Sequence, residues 1–164
     1  MRLNSFVLAL AIVTPNIAAS QAGAGQPSPE MQAAFATIQA NVAQIIFAPE
    51  MERWQANIEL WRLRFEHMGN LESGVVKRMQ PSLATMQVNV SKLMEPWEKE
   101  RWEECRDLWQ LVIGTSGAPA PADVAKVKAT FAMLQINIAS IIDRDEKERW
   151  TANAVLWKAM IDRM

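Results

Sequence analysis

From about residue 29 onward, apolar residues recur at steps of three and four, the spacing that lines one face of an α-helix. A first stripe runs through Phe35, Ile38, Val42, Ile45 and Ile46. A second runs through Trp54, Asn57, Leu60, Trp61 and Phe65, carrying one amide among aromatic and aliphatic side chains. Each stripe predicts a helix with a face to bury. Pro49 falls between the two, where proline disfavours helical geometry at the residue before it. A break this short predicts that the helices fold back as an antiparallel hairpin.

The pattern then repeats with a period of 48 residues and no gap. The first stripe returns as Leu83, Met86, Val90, Leu93 and Met94, then as Phe131, Leu134, Ile138, Ile141 and Ile142. A Gln-x-Asn pair recurs as Gln39 and Asn41, Gln87 and Asn89, and Gln135 and Asn137. Ala36, Ala84 and Ala132 each stand three residues before these glutamines. A Glu-x-Glu-Arg-Trp run recurs at Glu50–Trp54, Glu98–Trp102 and Glu146–Trp150, and Leu-Trp recurs at Leu60-Trp61, Leu108-Trp109 and Leu156-Trp157. Six of the 7 tryptophans thus fall on two columns, which marks an internal repeat. The period and pattern differ from those of tetratricopeptide repeats.

The expected architecture is all-α: three tandem helix-hairpin repeats, six helices in all, forming a compact bundle or a short α-solenoid. Copies one and three are as apolar as copy two and carry no polar capping face, which favours the compact bundle. The repeats span residues 26–73, 74–121 and 122–164. Ser28 before Pro29 predicts an N-cap, and Asp143 with Glu146 predicts a capping box. Gly69 and Gly114 are placed as helix C-caps. Pro81, whose equivalents are Ala33 and Ala129, predicts a late start or a kink in the third helix. Glu50 with Arg53, Glu98 with Arg101 and Glu146 with Arg149 stand as i, i+3 ion pairs.

Residues 1–22 read as a signal peptide. Arg2 supplies a short positive start, Phe6–Val13 is apolar yet too short to span a bilayer, and small residues at Ser20, Ala22 and Ala24 suit a signal peptidase. The expected destination is export, to a bacterial periplasm or the medium. No later run is long and apolar enough to insert in a membrane.

The 164 residues carry a net charge of −1 with both signs interspersed, which leaves no basic stripe for nucleic acid. The single cysteine, Cys105, takes the place of Asn57 and Asn153 in the second stripe, so it reads as a core residue. One histidine, His67, and one cysteine are too few for a structural zinc site. No nucleophile elbow, phosphate loop or zinc-protease motif occurs, so no catalytic residue, metal or cofactor is assigned.

The remaining candidates are the repeated residues. Trp54, Trp61, Trp102, Trp109, Trp150 and Trp157, with Asn57 and Asn153, predict a shared interior. Gln39, Asn41, Gln87, Asn89, Gln135 and Asn137 flank the first stripe, within reach of those amides or of an indole N–H. Two uses follow. Either these groups fix the register of the hairpins, or they line a pocket for a small apolar or aromatic ligand. Trp97, in an interhelix turn, is the candidate interface anchor. The expected function is that of a non-catalytic exported interaction or structural module, binding a protein partner or itself. A small-ligand carrier is the alternative.

Overall fold

The computed structural model describes residues 25–69, 71–115 and 119–164; the expected signal peptide lies outside them. Six helices follow in order: α1 Pro29–Val42, α2 Ala48–Glu66, α3 Ser73–Val90, α4 Pro96–Gly114, α5 Pro121–Ala139 and α6 Arg144–Ile161. Local signals set several ends. Ser28 Oγ accepts the Met31 N–H at 3.2 Å, and Asp143 Oδ1 accepts the Glu146 N–H at 2.7 Å. Prolines occupy the first turn of α1, α2, α4 and α5, where the missing N–H has no intrahelical partner to lose.

The helices close into a ring. Each packs against its neighbours in sequence, and α6 packs along α1, so the last helix completes the circle. This is the compact bundle, not a solenoid. The closest packing lies between copies, α2 along α3, α4 along α5 and α6 along α1, while the two helices within each repeat meet less extensively. Alternate helices run the same way. Hence α2, α4 and α6 are parallel, and they line a pseudo-threefold axis with α1, α3 and α5 outside them.

Burial explains this division. The outer helices hide narrow stripes, such as Met31, Ala34, Ile38 and Val42 in α1. The inner helices hide a broader face: α2 buries Arg53, Trp54, Ala56, Asn57, Leu60, Trp61 and Leu63. The backbones of α2, α4 and α6 nowhere come within 8 Å of one another, because six indoles fill the space between them.

Four expectations are corrected. The helix α3 starts at Ser73, so it does not start late, and it continues past Pro81. Pro81 faces solvent, as does Lys77 one turn before it, so the carbonyl that the proline leaves unpaired belongs to an exposed residue. Neither glycine is a C-cap. His67 closes α2, where the Arg64 guanidinium donates to the carbonyls of His67 and Gly69. Thr115 closes α4, its hydroxyl donating to the carbonyls of Leu111 and Val112. The first stripe is also shorter than expected. The helices end at Val42, Val90 and Ala139, so Ile46, Met94 and Ile142 fall in the turns and are exposed. The fourth correction concerns the ion pairs.

Candidate functional site

The axis is built in layers from the inner helices. Trp54, Trp102 and Trp150 meet edge to face, with ring centroids 4.9–5.0 Å apart. One turn further along, Asn57, Cys105 and Asn153 form a polar layer, each with no solvent exposure. Trp61, Trp109 and Trp157 follow as a second triangle, with centroids 4.7–4.9 Å apart. Edge-to-face geometry sets the positive edge of one indole against the negative face of the next, worth about 0.5–1.5 kcal/mol per pair beyond burial.

Hydrogen bonds tie the polar layer to the second triangle in a cyclic order. Trp61 Nε1 donates to Asn153 Oδ1 at 2.9 Å, and Trp109 Nε1 donates to Asn57 Oδ1 at 2.9 Å. Each indole therefore serves the amide of the preceding copy. Asn57 Nδ2 donates to Asn153 Oδ1 at 3.0 Å. The order fails at one place. Trp157 Nε1 belongs to residue 105, a cysteine without an amide oxygen, and has only the weakly accepting sulfur nearby, with no hydrogen bond of normal geometry. Cys105 makes only long sulfur contacts, 3.7 Å to Asn57 Oδ1 and 3.8 Å from Asn153 Nδ2. Burial pushes its thiol up to about 12, against weaker lowering by Asn153 and Trp157. It is a core residue and a poor nucleophile.

Above the first tryptophan triangle sits a ring of charges. Arg53 pairs with Glu98 at 2.6 Å, Arg101 with Glu146 at 2.6 Å and Arg149 with Glu50 at 2.8 Å. Each pair joins one copy to the next and the last to the first, so the expected pairs within one helix are replaced by pairs between helices. The reason is burial. The arginine side chains are only 3–10% exposed and turn toward the axis, where the neighbouring copy's carboxylate lies. Arg53 lies 5.6 Å from the Trp102 ring centroid, and Arg149 lies 5.9 Å from that of Trp54. Burial holds the Glu50 carboxyl above its usual value; Arg149 and Arg53 pull it down, and Glu98 and Glu146 push it up again. The three glutamates each engage an arginine of a neighbouring copy.

The Gln-x-Asn pairs divide. Asn89 donates to Glu52 at 3.1 Å and Asn137 to Glu104 at 3.0 Å, both across the seam between copies. Burial holds the Glu104 carboxyl above its ordinary range, while the Asn137 amide lowers it. Asn41 is half-buried, and among the described residues its side chain has no such partner. Gln39, Gln87 and Gln135 face solvent and take no part in the interior. None of the Gln-x-Asn side chains reaches an axial amide or indole.

Compared with known proteins, the chain matches no family model, no curated protein and no solved structure. Its geometry is therefore the basis for any functional reading.

One surface stands out. The turns at 43–47, 91–95 and 140–143 all lie at the charge-ring end of the bundle. There one column projects an apolar residue from every copy: Ile46 is 97% exposed, Met94 91% and Ile142 98%. Phe47 and Trp97, at 63% and 57%, extend this face. Trp97 and Ile142 border one cleft of about 440 Å³, above the Arg101–Glu146 pair. Ile46 and Phe47 border an equivalent cleft of about 370 Å³, above Arg149 and Glu50. Trp97 is exposed, but it lies in the first turn of α4 and not in the interhelix turn where its column placed it, because α4 begins at Pro96, whereas Ile46, Phe47 and Met94 were legible only as apolar. The missed signal was the place of Ile46 and Met94 just before the helix caps, Phe47 and Glu95. An apolar residue there ordinarily folds onto the fourth helical residue. In copies two and three that residue is Lys99 or Lys147, which gives no apolar partner.

Proposed function

We propose that the protein is a non-catalytic exported module that binds a protein partner or another copy of itself through the turn end of the bundle. The observation that carries this reading is the repeated exposure of one apolar column, Ile46, Met94 and Ile142. A soluble monomer rarely gathers so many large exposed apolar residues on one face. Trp97 and Phe47 supply aromatic anchors of the kind that dominate binding energy. Charge pairs and acidic first turns surround them, giving a polar rim. Among the described residues no helix is long and apolar enough to cross a membrane. The alternative of a small ligand held between the tryptophans draws no support from the interior, where the rings contact one another.

The test compares the mature chain with the variant Ile46→Asp/Met94→Asp/Ile142→Asp. Light scattering after size exclusion reads self-association, and capture from the host's exported proteins reads other partners. The expected result is association by the parent and none by the variant, with melting temperatures alike, because exposed positions change stability by less than about 0.5 kcal/mol each. A strictly monomeric parent that captures nothing, or a variant that still associates, would overturn the reading.

A further inference from the structure

The opposite end of the axis holds a second feature. The C-terminal turns of the three inner helices meet around a cavity of about 330 Å³, at the lower end of the range for small-molecule sites. One column of the repeat reaches it as Arg64, Val112 and Met160, so copy one places a guanidinium where the other copies place apolar side chains. Arg163 joins Arg64 at the wall, and Met68 and Leu71 add apolar surface. We propose that this axial cavity binds a small amphipathic carboxylate, its head between Arg64 and Arg163 and its apolar body against Met68, Leu71, Val112 and Met160.

The argument rests on unmatched charge. Among the described residues neither guanidinium has a carboxylate within 4.0 Å. The nearest acidic side chains in sequence are occupied elsewhere: Glu66 by Arg62 and Arg78, Asp162 by Lys158. Helix C-termini themselves favour cations, and one nitrogen of Arg64, Nη1, serves the carbonyls of His67 and Gly69. Among the described residues Arg64 Nε is buried without an acceptor. Arg163 donates only to the Gln26 carbonyl, at 3.2 Å. Burial and the neighbouring Arg163 charge both disfavour the Arg64 cation, as an unfilled anion site does. A carboxylate matches the fork of a guanidinium, and the apolar wall selects an anion with a hydrocarbon body over a bare one.

The experiment titrates the mature chain with sodium octanoate, 1-octanol and sodium acetate, followed by nitrogen–proton and methyl NMR. Octanoate is expected to bind at one site, shifting the Arg64 Nε–H and the methyls of Leu71, Val112 and Met160. Octanol and acetate should each bind at least tenfold more weakly. Arg64→Met, which copies the residue at position 160, should abolish octanoate binding with at most a modest fall in melting temperature from the lost bonds to the His67 and Gly69 carbonyls, and Arg64→Lys, which keeps the charge, should retain part of the binding. Arg163→Gln, an exposed change, should weaken binding several-fold. The proposal fails if octanoate shifts no cavity signal, shifts only the exposed turn residues, or binds the arginine variants as well as the parent. It also fails if octanol binds equally well.

Discussion

Replacing Cys105 by asparagine should make the protein more stable. The polar layer has two asparagines and one cysteine, and the indole–amide order breaks only at the cysteine. In the parent, buried Trp157 Nε1 has no acceptor better than the Cys105 sulfur, and a buried donor left unsatisfied costs on the order of 1–3 kcal/mol. An amide oxygen at position 105 would accept from Trp157 Nε1, as Asn57 accepts from Trp109 and Asn153 from Trp61. It would also replace the 3.8 Å contact from Asn153 Nδ2 with a normal hydrogen bond, and the new Nδ2 would serve Asn57 Oδ1. The opposing effect is size, since overpacking a core costs about 1–3 kcal/mol. That penalty should be small here, because Asn57 and Asn153 fit the same column with no exposure, between the same tryptophans. The net gain should be about 1–2 kcal/mol, which in a chain of this size raises the melting temperature by roughly 2–8 °C. Calorimetry reads the gain, and the Trp157 indole resonance should move downfield as its proton finds an acceptor. A destabilised variant, or an unmoved Trp157 resonance, would refute the cyclic order assigned to the layer.

Other expectations follow from the same geometry. In a double-mutant cycle Arg101→Met should couple to Glu146→Gln by about 1–3 kcal/mol and to Glu98→Gln by close to zero, because the pair spans two copies; chemical denaturation reads both. The Cys105 thiol ionises near 12 when folded and near 9 when unfolded, so its raised value stabilises the fold fully below pH 9 and loses that effect as pH climbs toward 12. Stability should therefore fall by about 1.4 kcal/mol per pH unit in that window, and the part due to the thiol should vanish in Cys105→Ser. The same burial predicts that thiol reagents label Cys105 only through unfolding, so faster labelling at neutral pH would contradict it. Trp97→Ala should leave the melting temperature unchanged and weaken association at the turn face by tenfold or more.

Much of the architecture was legible because the 48-residue repeat carried helical spacing, caps and two tryptophan columns at once. The burial of Asn57 followed from its place between Trp54 and Trp61, and the core role of Cys105 from the matching place between Trp102 and Trp109. Pairing was less legible, because repetition itself creates the ambiguity. Arg101 has a glutamate of the same column on its own helix, Glu98, and another in the next copy, Glu146. The two glutamates occupy the same column of the repeat, and only the inward turn of the buried arginine chooses between them. The exposed face was hidden for a related reason. Ile45 and Ile46 both continue a helical spacing, yet the helix stops at Val42, so Ile45 packs partly inward while Ile46 projects. The glutamines of the Gln-x-Asn pairs repeat as faithfully as the asparagines and do nothing inside, so repetition alone did not mark burial.

The central claim is that three copies close on themselves around one axis, and the packing of α1 on α6 tests it most directly. Thr37 and Thr151 border the same groove between those helices. Spin labels at Thr37→Cys and Thr151→Cys, with Cys105→Ser removing the native thiol, report their separation by pulsed electron resonance. Packed helices lie about 8–10 Å apart, so the closed ring predicts a short distance, within about two such spacings once the label arms are included. A separation near five spacings, about 45 Å, would mean that the first and last helices stand at opposite ends of an open stack, and the closed axis would be wrong.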